Sequence, residues 1–458
     1  MAAPIVFERR MTDAEGLMWR LEKDPFLSST FGNVTFLDRP LDHQRLLRRM
    51  AHAVEAVPRL RQRVQPAPTG LSSPVWVDDD QFDLARHVRH VALPKPGTDR
   101  QLLDLAALLV ADPFDRARPL WEFIVVDGLR GGRGALIQKL HHTVVDGEAG
   151  IRMSMQFLDL ERDAPEPPPV EPAPPSPPEE RNPLADLLTG TFRLPLALAR
   201  QGRDLLADPT RVPATAQAVV GATREIVTQL TDTERAHSPL WTARSLGRRL
   251  EVLRAPLEAT KAAAHHLGGS LNTAFVTIAT EAAARYHRER GHPVDTLRAS
   301  MAISTRTSGS GANAFTLARL VVPTGDLPIA ERFRAIQAAT EGARASSASA
   351  SLEVLSGLAA LLPTSVVTRL ARQQSQTVDF ATSNVRGAPI PVYVAGARVV
   401  SNHPVGPLAG VAFNLTLLSY DGSLDMGLHL DTAAVAEPQR LLRAHERAVR
   451  DLLAVVDG

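Results

Sequence analysis

The hydrophobic positions of residues 42–57 predict an amphipathic helix. Leu46, Met50 and Val54 recur four residues apart, which places them on one face of a helix. Asp42 precedes this run, in the position where a carboxylate accepts hydrogen bonds from the first free backbone amides. The pattern therefore predicts a helix that begins just after Asp42 and buries its apolar face.

A second helix and a pair of strands follow along the chain. Thr98 and Gln101 form a capping-box pattern before the apolar run LLDLAALLV, which predicts a helix that ends near Asp112. The short apolar runs WEFIVVDGL and GALIQKL are separated by RGGR, as is typical of paired strands joined by a glycine-rich turn. Helical spacing returns in GEAGIRMSMQFLDL, after Asp146.

The second half mixes helices and strands in the same way without repeating the sequence of the first. Helices are predicted over residues 257–266 and 272–290, and Gly291 ends the latter. Asp421-Gly422 favours a tight hairpin turn between two strands. The predicted strands cover residues 297–303, 318–322, 392–400, 410–419 and 425–431. Both halves are therefore expected to be α/β units.

A proline-rich stretch, APEPPPVEPAPPSPPEERNP at residues 164–183, separates the two halves. Proline removes backbone donors and favours an extended conformation, so the stretch is predicted to be an exposed linker. A chain of 458 residues also exceeds the size at which a single core stops growing. We predict an N-terminal domain over residues 1–163, a linker with crossover helices over 164–245 and a C-terminal domain over 246–458.

Charge and composition exclude several classes of protein. Lys and Arg number 51 against 50 Asp and Glu, and this formal net charge of +1 argues against binding nucleic acid. Cysteine is absent, which excludes disulfides, thiolate metal sites and a cysteine nucleophile. The start of the chain lacks a secretory signal pattern, and no stretch of about 18 apolar residues could span a bilayer. A cytoplasmic location is therefore expected.

The most apolar segment is LEVLSGLAALLPTSVVTRL, residues 352–370. Glu353, Gly357 and Pro363 interrupt it, so two short helical pieces are predicted in place of one long helix. Two interpretations of its apolar side chains stay open, burial in the core and contact with lipid.

The segment HHTVVDG, residues 141–147, carries the candidate chemistry. It follows a predicted strand, where a loop can present a catalytic side chain while the sheet holds the backbone still. A neutral imidazole suits the removal of a proton from an alcohol that attacks a thioester. Adjacent strand residues point to opposite faces, so we expect His142 to face a cleft and His141 to support it.

Two further residues of the motif shape its turn. Asp146 can close the turn, and Gly147 can adopt backbone conformations forbidden to other residues. An alternative stays open, in which the histidines and the aspartate have structural roles only. No metal site is expected, because no third ligand cluster of recognisable spacing accompanies the histidines. The pair His265-His266 lacks the Asp-Gly and is predicted to lie on the surface of a helix.

HHTVVDG resembles the active-site signature of the coenzyme A-dependent acyltransferases, which include chloramphenicol acetyltransferase and peptide-synthetase condensation domains. Three other segments resemble the bacterial wax ester synthase/diacylglycerol acyltransferase family: PLWE at residues 119–122, SNVRGAPIPVYVAGARV at 383–399 and PVGPLAGVAFNLTLLSYDGSLDMGLHLD at 404–431. The resemblance implies an α/β fold of two chloramphenicol-acetyltransferase-like sandwich domains that face each other across a central tunnel.

The resemblance also implies roles for individual residues. His142 would deprotonate the acceptor hydroxyl, and Asp146 would hold the geometry of the motif with Arg306 as its candidate partner. Asn272 would orient the substrate or support a developing oxyanion, although a plain helix-start role stays open for it. The other substrate-binding candidates are Pro119, Trp121, Ser383 and Asn384, which would line the cleft.

The chain departs from the family pattern at three places. Asn272-Thr273 stands where the family has Asn-Asp, residues 302–304 (AIS) replace Pro-Val-Ser, and Arg386 replaces a proline. If the missing acid shapes the substrate site, these changes alter the choice of acceptor or the activity.

We therefore expect an acyl-CoA-dependent O-acyltransferase that esterifies diacylglycerol or a long-chain alcohol, giving triacylglycerol or a wax ester. Acyl-CoA is a substrate, and no cofactor or covalent intermediate is expected. Two alternatives stay open: an acyltransferase of the same fold with a carrier-protein donor or a polyketide-type alcohol, and a catalytically silent lipid-binding protein. Because the lipids are insoluble in water, peripheral contact with the inner membrane face or lipid droplets is a further hypothesis.

Overall fold

The computed structural model describes residues 8–66, 73–145, 150, 153–165, 236–304, 315–347 and 364–456. Its helices are α1 (Asp13–Leu21), α2 (His43–Ala56), α3 (Leu84–His87), α4 (Asp99–Ala111), α5 (Leu257–His266), α6 (Leu271–Glu289), α7 (Ile329–Ser347), α8 (Thr364–Ser375) and α9 (Pro438–Leu453). Short 3-10 turns cover Pro25–Leu27, Pro58–Arg61 and Ala454–Val456.

The strands are numbered in chain order. They are β1 (Thr30–Leu37), β2 (Gln62–Gln65), β3 (Val75–Asp78), β4 (Val88–Ala92), β5 (Trp121–Leu129), β6 (Arg133–His141), β7 (Leu158–Asp159), β8 (Arg248–Pro256), β9 (Thr296–Ser304), β10 (Phe315–Pro323), β11 (Phe380–Arg386), β12 (Tyr393–Val394), β13 (Ala397–Val405), β14 (Phe413–Tyr420) and β15 (Ser423–Asp431).

Two large sheets organise the described part of the chain. The first has seven strands in the order β4-β5-β6-β1-β13-β12-β7, and the second has six in the order β10-β9-β11-β14-β15-β8. Strands β2 and β3 form a separate pair. Each half of the chain therefore combines a mixed sheet with packed helices.

Helices pack against parts of both faces of the first sheet. Leu136 and Leu140 of β6 share a core cluster with the buried side of α2, whereas Ile137 of the same strand packs with α4 on the other face. Leu250 of β8 belongs to the α4 cluster. Strand β8, at the edge of the second sheet, thus packs against α4 of the first half.

Helices α5, α6, α7 and α9 pack on one face of the second sheet. Its core contains Phe275 of α6, Phe333 of α7, Phe380 of β11 and Phe413 of β14, all of them buried. The face of β11 and β14 opposite to this core is turned away from these helices. That face is free to meet the first half.

Strand β13 joins the two sheets. Although it comes from the second half, it pairs antiparallel with β1, from Gly32 opposite Val405 to Leu37 opposite Val399. The Asn402 backbone N–H donates to Asp425 of β15 at 2.7 Å, so the same strand is also attached to the second sheet. The division into 1–163, 164–245 and 246–458 stays a prediction. The first sheet crosses it, because it contains β13 from the second half of the chain.

Several predicted elements are confirmed. Asp42 caps α2, Thr98 and Gln101 form the capping box of α4, and β5 and β6 pair as a hairpin. Helices α5 and α6 lie where they were predicted, and the turn between β14 and β15 places Asp421 and Gly422 at φ 41° and 76°. These features depend on local contacts within a few residues.

Other predictions are wrong or lie outside the described residues. A single strand over 392–400 is wrong, because Ala395 and Gly396 adopt φ 44° and 85° and turn the chain between β12 and β13. Leu158–Asp159 forms β7, so the helical spacing predicted there does not persist. The crossover helices predicted beyond residue 183 and residues 352–363 of the apolar segment lie outside the described residues. None of the described helices is both long and apolar enough to cross a bilayer.

The crossing of β13 over β15 requires a glycine. A Cβ placed on Gly427 would collide with the carbonyl oxygen of Pro404. We expect Gly427→Ala to destabilise the fold by about 1–3 kcal/mol, because backbone must move to admit the methyl group. Gly342→Ala in α7 is the matched control, since a Cβ there meets nothing within 4 Å. Thermal unfolding of the two variants tests this, and equal melting temperatures would contradict the tight crossing.

Candidate functional site

The two histidines of the motif lie at the end of β6, beside the start of β1. His141 is paired with Thr30 in the strand register, and the backbone N–H of His142 donates to the Ser29 carbonyl at 3.2 Å. Successive strand residues point to opposite faces, and Ile137 packs with α4. His141 therefore points to the α4 face, and His142 points to the other.

His141 is buried, and both of its ring nitrogens have partners. Nε2 lies 3.0 Å from a carboxylate oxygen of Glu22, and Nδ1 lies 2.7 Å from the Thr143 hydroxyl and 3.2 Å from the Thr143 backbone nitrogen. Since a carboxylate accepts, these partners assign the proton to Nε2 and leave Nδ1 to accept from Thr143. The ring is held on both sides while neutral, which steadies the backbone that carries His142.

Glu22 ties this network to a distant part of the chain. It follows α1 and also accepts from the Ser28 hydroxyl at 2.6 Å and from the Ser29 backbone N–H at 2.8 Å. Burial acts to raise the pKa of Glu22, but the hydrogen bonds from His141, Ser28 and Ser29 lower it below its ordinary value. The carboxylate that faces His141 is therefore ionised at neutral pH.

His142 presents an imidazole that is neutral at physiological pH. Its ring lies on Phe31 of β1, with centroids 4.6 Å apart and planes inclined by 37°. The pKa of His142 is lowered to about 4, chiefly by burial and to a smaller extent by His141, while Glu22 opposes the shift. The residue lies deep in the protein yet keeps partial contact with solvent. A neutral ring that solvent reaches can accept a proton from a bound hydroxyl.

The burial pattern indicates a groove along the sheet face that carries His142. Phe31 and Asn33 are only half-buried, although β1 is an interior strand of the first sheet. In the second sheet, Ala381 and Ser383 of the interior strand β11 are half-buried in the same way. Interior strands with one incompletely covered face mark an opening between the two sheets.

The groove closes where the second sheet touches the first. Leu418 and Tyr420 of β14 belong to the same core cluster as Leu37 of β1, and Val385 packs against that cluster. Val385 follows Ser383 by two residues and therefore lies on the same face of β11. Ser383 thus lies in the groove, next to its closed end.

Polar side chains line the β1 side of the groove. The Asn33 side-chain nitrogen lies 3.5 Å from the Gln138 side-chain oxygen, and the Thr35 hydroxyl donates to Asn402 at 2.9 Å. Strand alternation places Asn33, Thr35 and Gln138 on the same face as His142. Asn33 is half-buried and can bind a carbonyl or hydroxyl oxygen of a substrate, whereas Thr35 and Gln138 are buried behind it.

The other predicted site residues of the first half pack inside it. Trp121 is fully buried, its indole N–H donates to the Leu60 carbonyl at 2.7 Å, and its ring stacks on His87 at 4.7 Å. Pro119 is buried as well, and its carbonyl accepts from the Trp121 backbone N–H at 3.1 Å. Both residues support β5 from the core, and neither makes a contact here that would place it on the cleft wall.

Asn272 lies in the first turn of α6. Its side-chain nitrogen is 3.1 Å from the sulfur of Met301 on β9. Thr273, which stands in place of the family's aspartate, is buried, and its hydroxyl lies 3.0 Å from that of Ser270, the N-cap of the helix. The Thr273 hydroxyl therefore already has a hydrogen-bond partner at the start of the helix, and it needs no acidic side chain as a partner.

The two predicted residues of β11 lie on opposite faces. Ser383 is aligned with Thr416 of β14 and is half-buried beside the groove. Asn384 is aligned with Leu417, which lies in the core of the second half, and is exposed on that helix-bearing side. The strand register therefore turns Ser383 toward the groove and Asn384 away from it.

Three predicted site residues lie outside the described residues, namely Asp146, Gly147 and Arg306. Within the described ranges, no group of three or more His, Asp or Glu side chains is arranged to hold a metal ion.

A serine–histidine pair in the second half has a structural role. The Ser238 hydroxyl lies 2.7 Å from His287 Nε2, and both residues are buried. Ser238 also accepts from the backbone N–H groups of Leu240 and Trp241. A hydroxyl that is enclosed and already bonded three times is not a nucleophile, and the pair instead fixes the chain before β8.

Sequence reasoning missed Glu22, Thr143 and the groove residues of β1. Glu22 is 119 positions from His141, and no spacing along the chain connects them. Thr143 lies within the motif, and its position two residues after His141 was a usable signal, since hydroxyl side chains often bond to near neighbours.

Comparison with known proteins places this geometry in a family. Residues 11–275 match the wax ester synthase/diacylglycerol acyltransferase catalytic domain, and residues 311–452 match the corresponding C-terminal domain. A putative diacylglycerol O-acyltransferase of Mycobacterium tuberculosis is 31% identical over 98% of this chain and 93% of its own length. A probable diacylglycerol O-acyltransferase of that organism is 28% identical over 96% and 94%.

Solved structures show the same architecture. The wax ester synthase/diacylglycerol acyltransferase from Marinobacter aquaeolei VT8 superposes with a TM-score of 0.66 at 22% identity, over 97% of this chain and 98% of that one. The first condensation domain of the calcium-dependent antibiotic synthetase superposes with a TM-score of 0.57 at 17% identity, over 97% and 96%. The predicted fold class, two α/β sandwich domains that face each other, is confirmed.

The environment of His142 predicts an unusual titration. With a pKa of about 4, the ring should stay neutral down to about pH 5, well below the ordinary value of 6.5. Histidine ring resonances followed by NMR between pH 4 and 8 measure this, with His142→Gln used to assign the signal. Protonation with a midpoint at or above pH 6 would contradict the burial described here.

Proposed function

Because the chain belongs to the wax ester synthase/diacylglycerol acyltransferase family, whose members esterify lipid alcohols, we propose that His142 is the general base of its acyl transfer. The acceptor is diacylglycerol or a long-chain alcohol, and the donor is acyl-CoA. The observation that carries the proposal is a neutral imidazole at the edge of the groove between the sheets, held in place by Glu22 and His141.

The reaction is a direct transfer. The acceptor hydroxyl gives its proton to His142 while its oxygen attacks the thioester carbonyl. The carbon–sulfur bond then breaks, the ester is released, and the imidazolium returns the proton to the leaving thiolate of CoA. The low pKa of His142 makes its protonated form a ready proton donor, which favours this second step.

The groove supplies the other elements of the proposal. Ser383 and the Asn33–Gln138 pair can orient the acyl acceptor or the thioester from opposite walls. Asn272, held by Met301 on the far side of the second sheet, supports the start of α6. The carboxylate of Asp146 remains a proposed organiser of the motif, with Arg306 as its proposed partner.

Turnover by the purified protein tests the assignment. Palmitoyl-CoA with dioleoylglycerol or hexadecanol should release free CoA, and His142→Ala should lower the rate by about 10²-fold or more. His265→Ala is the control, because that histidine is exposed on α5. Equal rates in wild type and His142→Ala would refute the mechanism. Lipid binding without CoA release by the wild type would favour the catalytically silent alternative.

We also propose peripheral contact with a lipid surface, because the acceptors are insoluble in water. Met155 and Leu160, which follow the histidine motif, are 70% and 72% exposed and are candidate contacts. The double variant Met155→Ser/Leu160→Ser should sediment less with diacylglycerol-containing liposomes. Leu108→Ser on α4, where the leucine is 68% exposed, is the matched control. Equal sedimentation of all three proteins would rule out these contacts.

A further inference from the structure

Two polar side chains lie at the same depth on opposite walls of the groove. Asn33 of β1 is opposite Pro404 of β13 in the strand register. The Pro404 carbonyl lies against Gly427 of β15, where the two strands cross. Gly427 is aligned with Thr416 of β14, and Thr416 is aligned with Ser383 of β11. Because aligned residues of neighbouring strands share a face of the sheet, this row places Asn33 level with Ser383.

Asn33 brings an unpaired hydrogen-bond acceptor to this level. Its side-chain nitrogen lies 3.5 Å from the side-chain oxygen of Gln138, and this contact sets the orientation of the Asn33 amide. Asn33 Oδ1 is then buried and has no hydrogen-bond partner among the residues that the structure describes. A buried oxygen without a donor destabilises the protein, so a ligand that donates to it gains affinity.

A hydroxyl group faces this acceptor from the other wall. Ser383 is half-buried, and its hydroxyl can both donate and accept. Thr416 beside it is buried, and its hydroxyl already donates to Asn414 at 3.0 Å. Ser383 is therefore the hydroxyl of this row that the groove can use. We call the two groups the Asn33–Ser383 clamp, because together they can hold one hydroxyl group of a ligand between them.

The clamp lies between the proposed base and the closed end of the groove. The His142 ring lies on Phe31, and Asn33 follows Phe31 by two residues, about 7 Å farther along the same face. Two residues beyond Ser383, Val385 packs against the cluster that closes the groove. This end of the groove is therefore short and polar, and a long alkyl chain has no room to extend through it.

A simple lipid alcohol does not satisfy the clamp. A long-chain alcohol has only its reacting hydroxyl, and diacylglycerol adds ester oxygens, which accept hydrogen bonds and do not donate them. Either one leaves Asn33 Oδ1 without a donor. A second hydroxyl a few bonds from the first could donate to Asn33 while the first hydroxyl donates to His142.

We propose that the Asn33–Ser383 clamp selects a lipid alcohol with a second free hydroxyl, a polyol lipid, over acceptors that have one hydroxyl. The inference rests on the proposed function and names the class of its acceptor. The reacting hydroxyl lies at His142, the second lies in the clamp, and the alkyl chain leaves through the open end of the groove.

Three acceptors with the same alkyl chain test the proposal. They are 2-O-hexadecylglycerol, which has two hydroxyls, its mono-O-methyl ether, which has one, and hexadecanol. With palmitoyl-CoA as donor, kcat/KM for the diol should exceed that for the methyl ether by about tenfold, because only the diol can donate to Asn33. Equal values in wild type would overturn the proposal.

A substitution in the clamp should reverse the preference. Asn33→Leu replaces the acceptor with an apolar side chain, so kcat/KM should fall by about tenfold for the diol and rise for hexadecanol. Ser383→Ala should also weaken the preference for the diol. Asn384→Leu is the matched control, because Asn384 is exposed on the opposite face of β11. A diol preference that persists in Asn33→Leu, or disappears in Asn384→Leu, would contradict the clamp.

The KM for palmitoyl-CoA distinguishes the acceptor from the thioester donor. We expect the loss in Asn33→Leu to appear in the KM for the diol. If the KM for palmitoyl-CoA, measured with hexadecanol, rises by the same factor, the clamp holds the donor and the proposal is wrong. The proposed function is judged separately, because CoA release with hexadecanol that disappears in His142→Ala requires no second hydroxyl.

Discussion

The hydrogen bond between the Glu22 carboxylate and His141 Nε2 is the contact on which the site depends. It joins the end of α1 to the end of β6, and Glu22 also holds Ser28 and Ser29 at the start of β1. Because Nε2 donates to a carboxylate, His141 keeps the tautomer whose Nδ1 accepts from Thr143. One ionised side chain thus fixes the first histidine so that the second can point into the groove.

The groove itself follows from the way the two sheets are joined. Strand β13 completes the first sheet and is attached to β15 through Asn402 and Asp425, so the two sheets meet along this strand. One face of β1 and one face of β11 are only half-buried. An opening between two rigid sheets is a suitable place for an extended substrate, because its walls do not need to order when the substrate binds.

Burial decides the protonation state of the proposed base. The imidazole of His142 is kept neutral by burial, which lets it accept a proton without first losing one.

The sequence alone determined the features that arise from neighbouring residues. Asp42 before α2, the capping box at Thr98 and the Asp421-Gly422 turn were predictable because each depends on hydrogen bonds within a few positions. The different directions of the two adjacent histidines were also predictable, because successive strand residues point to opposite faces of a sheet. Only the tertiary structure decided the pairing of β13 with β1, the contact of Glu22 with His141 across 119 positions, and the pKa of His142. Those depend on packing and desolvation between distant segments, which no local pattern records.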